Sequence, residues 1–492
     1  MKSSLPIWAH NDRTNANTAV KSAGIAIGSG LARLMASFFG ALLLARFLSP
    51  EDFGLVAIAT PIILLVGAFA DGGVSTYTLQ SKQVTQRNLT LSFWLALITG
   101  LSVACVVIFA SPLAAWVFKD DRLILILSVL ALSILFSSIG SQHNALTKKF
   151  HRQDIYGIAE IIAAVSSLLG SVYIAYLGGE YWALVAIPVI RQLVHTTVVV
   201  VATGWVPGVP FVDTTMAKTI MGFSAYIIVF QIVNVLNKSI DKWMLGYHQN
   251  PEVLGYYAMA VSIMMLPSMQ LLSPIGGAII PHFSKVYHHE NDRFGSVVRT
   301  VMVLLVSLIC PAMLWASAYS ELLLGSVLGE KWLMSAPVFS VLALASIAMT
   351  ILSVVGWTYT SIGNSKILST LALVSVFVLT VSSAYGAMSG AVVLAWVVLI
   401  NFLIMIFLYF TFIILDKNVE IPVFRIVLDL AMVVSWCFVV VYTVSYANSY
   451  YSINSYADLV LSFLLSIMFS LAPILLCFSE IRRQFSVFLQ KR

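Results

Sequence analysis

Arg191 is the residue in this chain with the most evident chemical capacity. It lies in the apolar run Trp182-Ala183-Leu184-Val185-Ala186-Ile187-Pro188-Val189-Ile190-Arg191, three residues after Pro188 and four before His195. Proline removes a backbone donor and opens a helix ladder, and residues four apart share a helix face. A guanidinium placed there can take an oxyanion through two parallel hydrogen bonds, or pair with a carboxylate and staple two helices. Arg33, inside the first apolar run, is a second cation of this kind, and it binds an anion or snorkels to lipid headgroups. His195 is a proton carrier or a hydrogen-bonded packing residue. Asp71, just before Gly72-Gly73, and Glu160 are the acidic counterparts. Each is a candidate for ion coupling, or for a structural pair with Arg33 or Arg191. Ionisable groups inside a membrane cost about 2.5–3.5 kcal/mol each, which makes every one a functional candidate. A further stripe, Gln231, Asn234, Lys238 and Asp241, is spaced for one helix face with Asn237 at its edge. It can line a cavity and bind sugar hydroxyls, or bind helix to helix.

The elements that position these groups follow from composition. Of 492 residues, 60% are hydrophobic and 10% charged, against about a quarter charged in soluble domains. The expected class is an all-α, polytopic membrane protein. With about 20 residues needed per crossing, spans fall near 24–47, 54–78, 89–111, 122–145, 155–177, 181–203, 217–240, 253–280, 297–319, 333–358, 367–386, 389–414, 423–446 and 457–478, which makes fourteen. Residues 1–20 are polar and no cleavage site follows the first run, so that run is expected to be an uncleaved anchor. The net charge of +6 is scattered between apolar runs, which speaks against nucleic acid as a partner. The four cysteines (Cys105, Cys310, Cys437, Cys477) lie in apolar runs and are expected to be buried and inert. His288-His289-Glu290 is a solvated run without further ligands, and neither a metal nor a cofactor is expected.

Orientation follows the basic residues. With the N-terminus inside, 19 of the 27 Lys and Arg fall on inner loops and tails. Six (Arg46, Lys119, Arg122, Lys238, Lys242, Lys331) fall outside, and Arg33 and Arg191 lie within spans. Both termini are therefore expected in the cytoplasm. Gly204-Trp205-Val206-Pro207-Gly208-Val209-Pro210 reads as a boundary. It divides the chain into a tail (1–23), a six-helix lobe (24–203), a linker (204–216), a second six-helix lobe (217–414), two further helices (415–480) and a C-terminal tail (481–492). The lobes echo one another. Pro50-Glu51-Asp52-Phe53-Gly54-Leu55-Val56-Ala57-Ile58-Ala59 matches Pro251-Glu252-Val253-Leu254-Gly255-Tyr256-Tyr257-Ala258-Met259-Ala260 as Pro-Glu-x-apolar-Gly-apolar-apolar-Ala-apolar-Ala, and each is followed by a Ser-Lys pair (Ser81-Lys82, Ser284-Lys285). Matching orientation makes this a parallel pseudo-repeat, an arrangement that places substrate sites between halves in many transporters.

These motifs carry a family resemblance. Ala45-Arg46-Phe47-Leu48-Ser49-Pro50-Glu51-Asp52-Phe53-Gly54 with Ala70-Asp71-Gly72-Gly73 resembles the opening signature of bacterial polysaccharide transporters of the multidrug/oligosaccharidyl-lipid/polysaccharide superfamily. Asp241 to Ala260 with Pro281, Leu328-Gly329-Glu330-Lys331-Trp332 with Ala336-Pro337-Val338, and Ser361-Ile362-Gly363-Asn364-Ser365-Lys366 are similar to further blocks, covering about 24 to 370. The resemblance implies an inner-membrane flippase for undecaprenyl-diphosphate-linked repeat units of O-antigen, capsule or exopolysaccharide. Its two lobes would alternate access, driven by an ion gradient or the membrane potential. It implies the lipid-linked oligosaccharide, membrane lipids and other polysaccharide assembly proteins as partners. Arg33, Arg191 and the 231–241 stripe would then face the substrate, while Asp71, Glu160 and His195 would serve coupling. An enzyme such as a polymerase or ligase would need a substantial outer loop, and none is long enough. A lipid II flippase or a drug/cation antiporter of the same superfamily is the alternative cargo reading.

Overall fold

Long apolar runs between short polar turns satisfy their backbone groups internally as helices, the open-ended structure that lipid tolerates. The computed structural model describes residues 28, 30, 39–70, 74–81, 84–150, 152–211, 214–267, 271–415, 421–450 and 456–477. Residues 39–47 are helical. Then follow α1 (Pro50–Ala70), α2 (Val74–Gln80), α3 (Gln86–Phe118), α4 (Arg122–Lys149), α5 (Gln153–Tyr176), α6 (Trp182–Thr203), α7 (Thr214–His248) and α8 (Pro251–Met264). The chain continues with α9 (Ser273–His289), α10 (Asn291–Ala318), α11 (Ser320–Val327), a 3-10 turn (Glu330–Ser335), α12 (Ala336–Ile362), α13 (Ser365–Ser389), α14 (Ala391–Leu415), α15 (Val423–Tyr450) and α16 (Tyr456–Cys477).

Ten helices among the described residues are long and apolar enough to cross a membrane. Large apolar side chains such as Phe109, Trp116, Phe377 and Phe407 are exposed on them, as expected of surfaces that face lipid rather than water. The expected span 54–78 is helical over α1 and α2, and Asp71-Gly72-Gly73 between them lie outside the described residues. Within the expected span 253–280, α8 ends at Met264 with a turn at Met265; residues 266–267 and 271–272 are helical again before α9, and residues 268–270 lie outside the described residues. Pro267 accounts for the turn at Met265, since it lacks the backbone donor that a continuous ladder requires. Cys310 and Cys437 are buried, whereas Cys105 is exposed on α3, which corrects the expectation of burial for that thiol.

The chain forms two compact units, Met1–Gly255 and Tyr256–Arg492. In the first, α3 packs on α4 where Gly100 meets Ser138; a Cβ at Gly100 would lie 1.9 Å from the Ser138 hydroxyl. Small residues at such crossings let membrane helices approach closely. Polar contacts fix the neighbours. Thr78 Oγ1 on α2 donates to Gln142 Oε1 on α4 at 2.8 Å. Thr196 Oγ1 on α6 donates to the Phe136 carbonyl of α4 at 2.7 Å. The 204–210 segment is docked on α3 rather than trailing between elements. Trp205 Nε1 donates to Gln86 Oε1 (2.8 Å), Gln86 Nε2 to the Val206 carbonyl (3.0 Å), and Trp94 Nε1 to the Gly208 carbonyl (3.0 Å).

The repeated turns start their helices alike. Ser49 and Asp52 cap α1 reciprocally: the Ser49 N–H donates to Asp52 Oδ2 at 2.8 Å, and the Asp52 N–H to Ser49 Oγ at 3.3 Å, a capping box with Pro50 at the first helical position. At the start of α8, Asn250 Oδ1 accepts from the Val253 N–H at 2.9 Å, and Pro251 takes the first position. The two turns then meet each other. A Cβ at Gly54 would lie 1.7 Å from the Pro251 carbonyl oxygen, and a Cβ at Gly255 would lie 1.7 Å from that of Pro50. The glycine in each copy of the motif is thus required by the backbone of the other copy. Trp243 Nε1 of α7 adds a hydrogen bond to the Ile58 carbonyl of α1 at 3.3 Å.

In the second unit, α15 and α16 dock on α10 through specific polar contacts. Arg299 on α10 pairs with Asp429 on α15 at 2.5 Å. Trp315 Nε1 on α10 donates to Ser462 Oγ on α16 at 3.0 Å.

Candidate functional site

The helices α5 and α6 form a hairpin packed along its length, and each turns one pair of residues spaced i, i+4 toward the other. Tyr156 and Glu160 come from α5; Arg191 and His195 come from α6. Arg191 Nη2 donates to Glu160 Oε2 at 2.8 Å. The Tyr156 hydroxyl donates to Glu160 Oε1 at 3.4 Å. His195 Nε2 lies 3.8 Å from that same oxygen and has no hydrogen-bond partner among the described residues. The Tyr156 and His195 rings meet edge to face at 5.3 Å. Over the tyrosine ring, Lys148 Nζ stands 5.0 Å from the centroid, a cation–π contact supplied by the last turn of α4.

Burial grades across this cluster. His195 is 5% exposed, the Glu160 side chain 13% and that of Arg191 34%, while Lys148 is exposed. The carboxylate is therefore enclosed and the two cations open outward from it. The base of α5 is secured separately. Arg152 chelates Asp154 through Nε to Oδ1 and Nη2 to Oδ2, both 2.9 Å; this pairing holds the guanidinium above its ordinary pKa. Lys149 donates to the Leu79 carbonyl (3.0 Å) and to the Ser81 carbonyl, closing the end of α2.

Three of the sequence candidates, Arg191, Glu160 and His195, are thus brought together. Of the structural partners open to Arg191 in the sequence, the fold presents Glu160. Arg33 and Asp71 lie outside the described residues. On α7, Gln231 and Lys238 are exposed, Asn234 is half-buried and Asp241 is buried. The stripe therefore does not present a uniform surface. Lys148 and Tyr156 escaped the sequence reading. Lys148 counted only as an inner-loop charge, but the i, i+4 spacing of Tyr156 and Glu160 on one face was a signal available for the tyrosine.

Chemically, the cluster can hold an anion at two cations, with an enclosed carboxylate and an imidazole beside them. Among the described residues no group of His, Cys, Asp and Glu is arranged to hold a metal ion.

Comparison with known proteins gives a consistent result. The chain is 26% identical over 290 residues to the teichuronic acid biosynthesis protein TuaB of Bacillus subtilis, covering 58% of this chain and 59% of that one. It therefore spans less than two thirds of that relative's length. It is 25% identical over 395 residues to the succinoglycan biosynthesis transport protein ExoT of Rhizobium meliloti, covering 79% of this chain and 78% of that one. Among solved structures, the lipid II flippase MurJ in an inward closed conformation superposes with a TM-score of 0.75 at 14% identity, over 94% of this chain and 99% of that one. This likeness shows a shared fold. The model of the family described as polysaccharide biosynthesis protein matches residues 43–337, a stretch that holds both repeated turns and the whole Lys148–His195 cluster. The chain is a multi-pass membrane protein that belongs to this polysaccharide biosynthesis protein family, with a fold it shares with the solved flippase structure.

Proposed function

We propose that this protein is a flippase that carries undecaprenyl-diphosphate-linked oligosaccharide repeat units from the inner to the outer leaflet of the bacterial inner membrane. The units would serve O-antigen, capsule or exopolysaccharide synthesis. The observation that carries the reading is Arg191, a partly exposed guanidinium held within an apolar hairpin at a position where the bilayer charges heavily for it. A guanidinium matches a phosphate through parallel hydrogen bonds, so an anionic headgroup has a reason to visit that depth. Organic cations would favour an acidic cavity instead. The two related relatives are named for the biosynthesis of teichuronic acid and the transport step of succinoglycan synthesis, which agrees with a lipid-linked glycan as cargo. In this reading two lobes of six helices alternate access, and an ion gradient or the membrane potential drives them. Glu160, His195 and Asp71 are the groups available for coupling, and Gln231, Asn234 and Lys238 of α7 are the members of the stripe open to sugar hydroxyls.

A translocase changes only the leaflet in which a finished unit resides. Cells lacking this protein should still synthesise the lipid-linked unit, and it should accumulate facing the cytoplasm. In sealed spheroplasts, an externally added glycan-modifying enzyme should leave it untouched. Full accessibility from outside in the deletion strain would refute the proposal. Accumulation of lipid II in place of the polysaccharide unit would transfer the cargo to the lipid II reading.

A further inference from the structure

The interaction of Arg191 with Glu160 leaves the cluster with more cationic capacity than the fold uses. Only Nη2 of Arg191 is engaged; its Nε and Nη1 make no hydrogen bond among the described residues. Lys148 is exposed and makes no ion pair among the described residues, resting on the Tyr156 ring at 5.0 Å. The neighbouring charges are committed elsewhere, Arg152 to Asp154 and Lys149 to the end of α2. The Tyr156 hydroxyl, meanwhile, reaches Glu160, the carboxylate that Arg191 holds. One tyrosine thus links two cations from different helices: its ring carries Lys148 of α4, and its hydroxyl reaches the carboxylate held by Arg191 of α6.

We propose that Lys148 and Arg191 form a two-cation site for a diphosphate headgroup, and that Glu160 is a resident anion which the ligand displaces from Arg191. This rests on the flippase reading above and adds to it a basis for selecting two phosphates over one. Each phosphate meets one cation: the planar fork of Arg191 takes one in bidentate fashion, and the Lys148 ammonium meets the other as a point charge. Glu160 keeps Arg191 oriented and compensated while the site is empty. When the ligand arrives, the Tyr156 hydroxyl and the imidazole of His195 remain beside the released carboxylate.

The test measures binding of undecaprenyl diphosphate and undecaprenyl monophosphate to the full chain in phosphatidylcholine nanodiscs. Wild type should favour the diphosphate by roughly tenfold, the contribution expected of one further charge-assisted contact. Lys148→Ala should bring that ratio close to one, and Lys148→Arg should preserve most of it. Because Lys148 is exposed, neither variant disturbs the fold. Glu160→Gln should tighten diphosphate binding several-fold, since the competing carboxylate is gone. An intact diphosphate preference in Lys148→Ala would overturn the two-cation site, and weaker binding in Glu160→Gln would overturn the displacement. Failure of wild type to bind either lipid would instead remove the flippase reading, and this proposal with it.

Discussion

Arg191 can hold two helices together, bind substrate, or do both, and a paired substitution separates these roles. Arg191→Ala alone leaves the Glu160 carboxylate, 13% exposed, without the guanidinium that meets it at 2.8 Å. Breaking a fully buried pair from one side costs about 3–5 kcal/mol. Here the arginine is 34% exposed, and unfolded membrane helices find substitute partners, so about 1–2 kcal/mol is the expected loss. Detergent-solubilised Arg191→Ala should unfold a few degrees below wild type, by about the amount that such a loss implies. Adding Glu160→Gln removes the stranded charge and should return most of that stability. Polymer export in a deletion strain then decides between the roles. If Arg191 binds the headgroup, the double variant is stable, inserts normally and exports nothing. Arg191→Lys should export partially, because an ammonium keeps charge without the bidentate fork. Export at wild-type levels by the stable double variant would show that Arg191 only staples α5 to α6, and the substrate role would be withdrawn.

Two further outcomes are expected. Leu at Gly54 or at Gly255 places side-chain atoms where a carbonyl oxygen lies 1.7 Å from the Cβ position. The helices must separate, with a loss of about 1–3 kcal/mol or more seen as lower thermal stability; unchanged stability would refute the reciprocal crossing. Reporters fused after Asn250 should read as periplasmic, and those fused after Glu290 or at the C-terminus as cytoplasmic. A periplasmic C-terminus would break the division into two six-helix lobes.

What the sequence made legible, and what it did not, follows from the range of each interaction. Apolar runs dictate helices locally, so the ten long apolar helices were readable, as were the repeated polar turns at Pro50 and Pro251. Arg191 and His195 declared themselves through local contrast, as charged or titratable groups four apart in an apolar run. Hydropathy averages over a window, however, and it read straight through the turn at Met265 although Pro267 marks it. The choice of Glu160 over other acids depends on helix packing across 31 residues of sequence, which no periodicity encodes. Lys148 was hidden for a related reason: its role depends on a tyrosine from the next helix. The docking of 204–210 on Gln86 and Trp94 was equally invisible, because glycine and proline announce a turn without naming the surface it rests on.

The crossing of Gly54 and Gly255 has a consequence for how such a chain can arise. Each turn presents Pro-Glu-x-apolar-Gly and receives the same pattern from the other, with matching 1.7 Å approaches on both sides. That is the logic of an isologous contact, in which one surface patch is complementary to itself. A half-length chain bearing a single such turn would be equipped to close it against a second copy of itself, as a twofold dimer. Joining two copies end to end would keep the contact and remove its dependence on concentration. The steric demand is the same for both glycines, but neither can compensate for loss of the other, because each clears the backbone of its counterpart. The two turns are free to differ elsewhere, with Asp52 in one and Val253 in the other, while the self-complementary crossing stays a requirement they share.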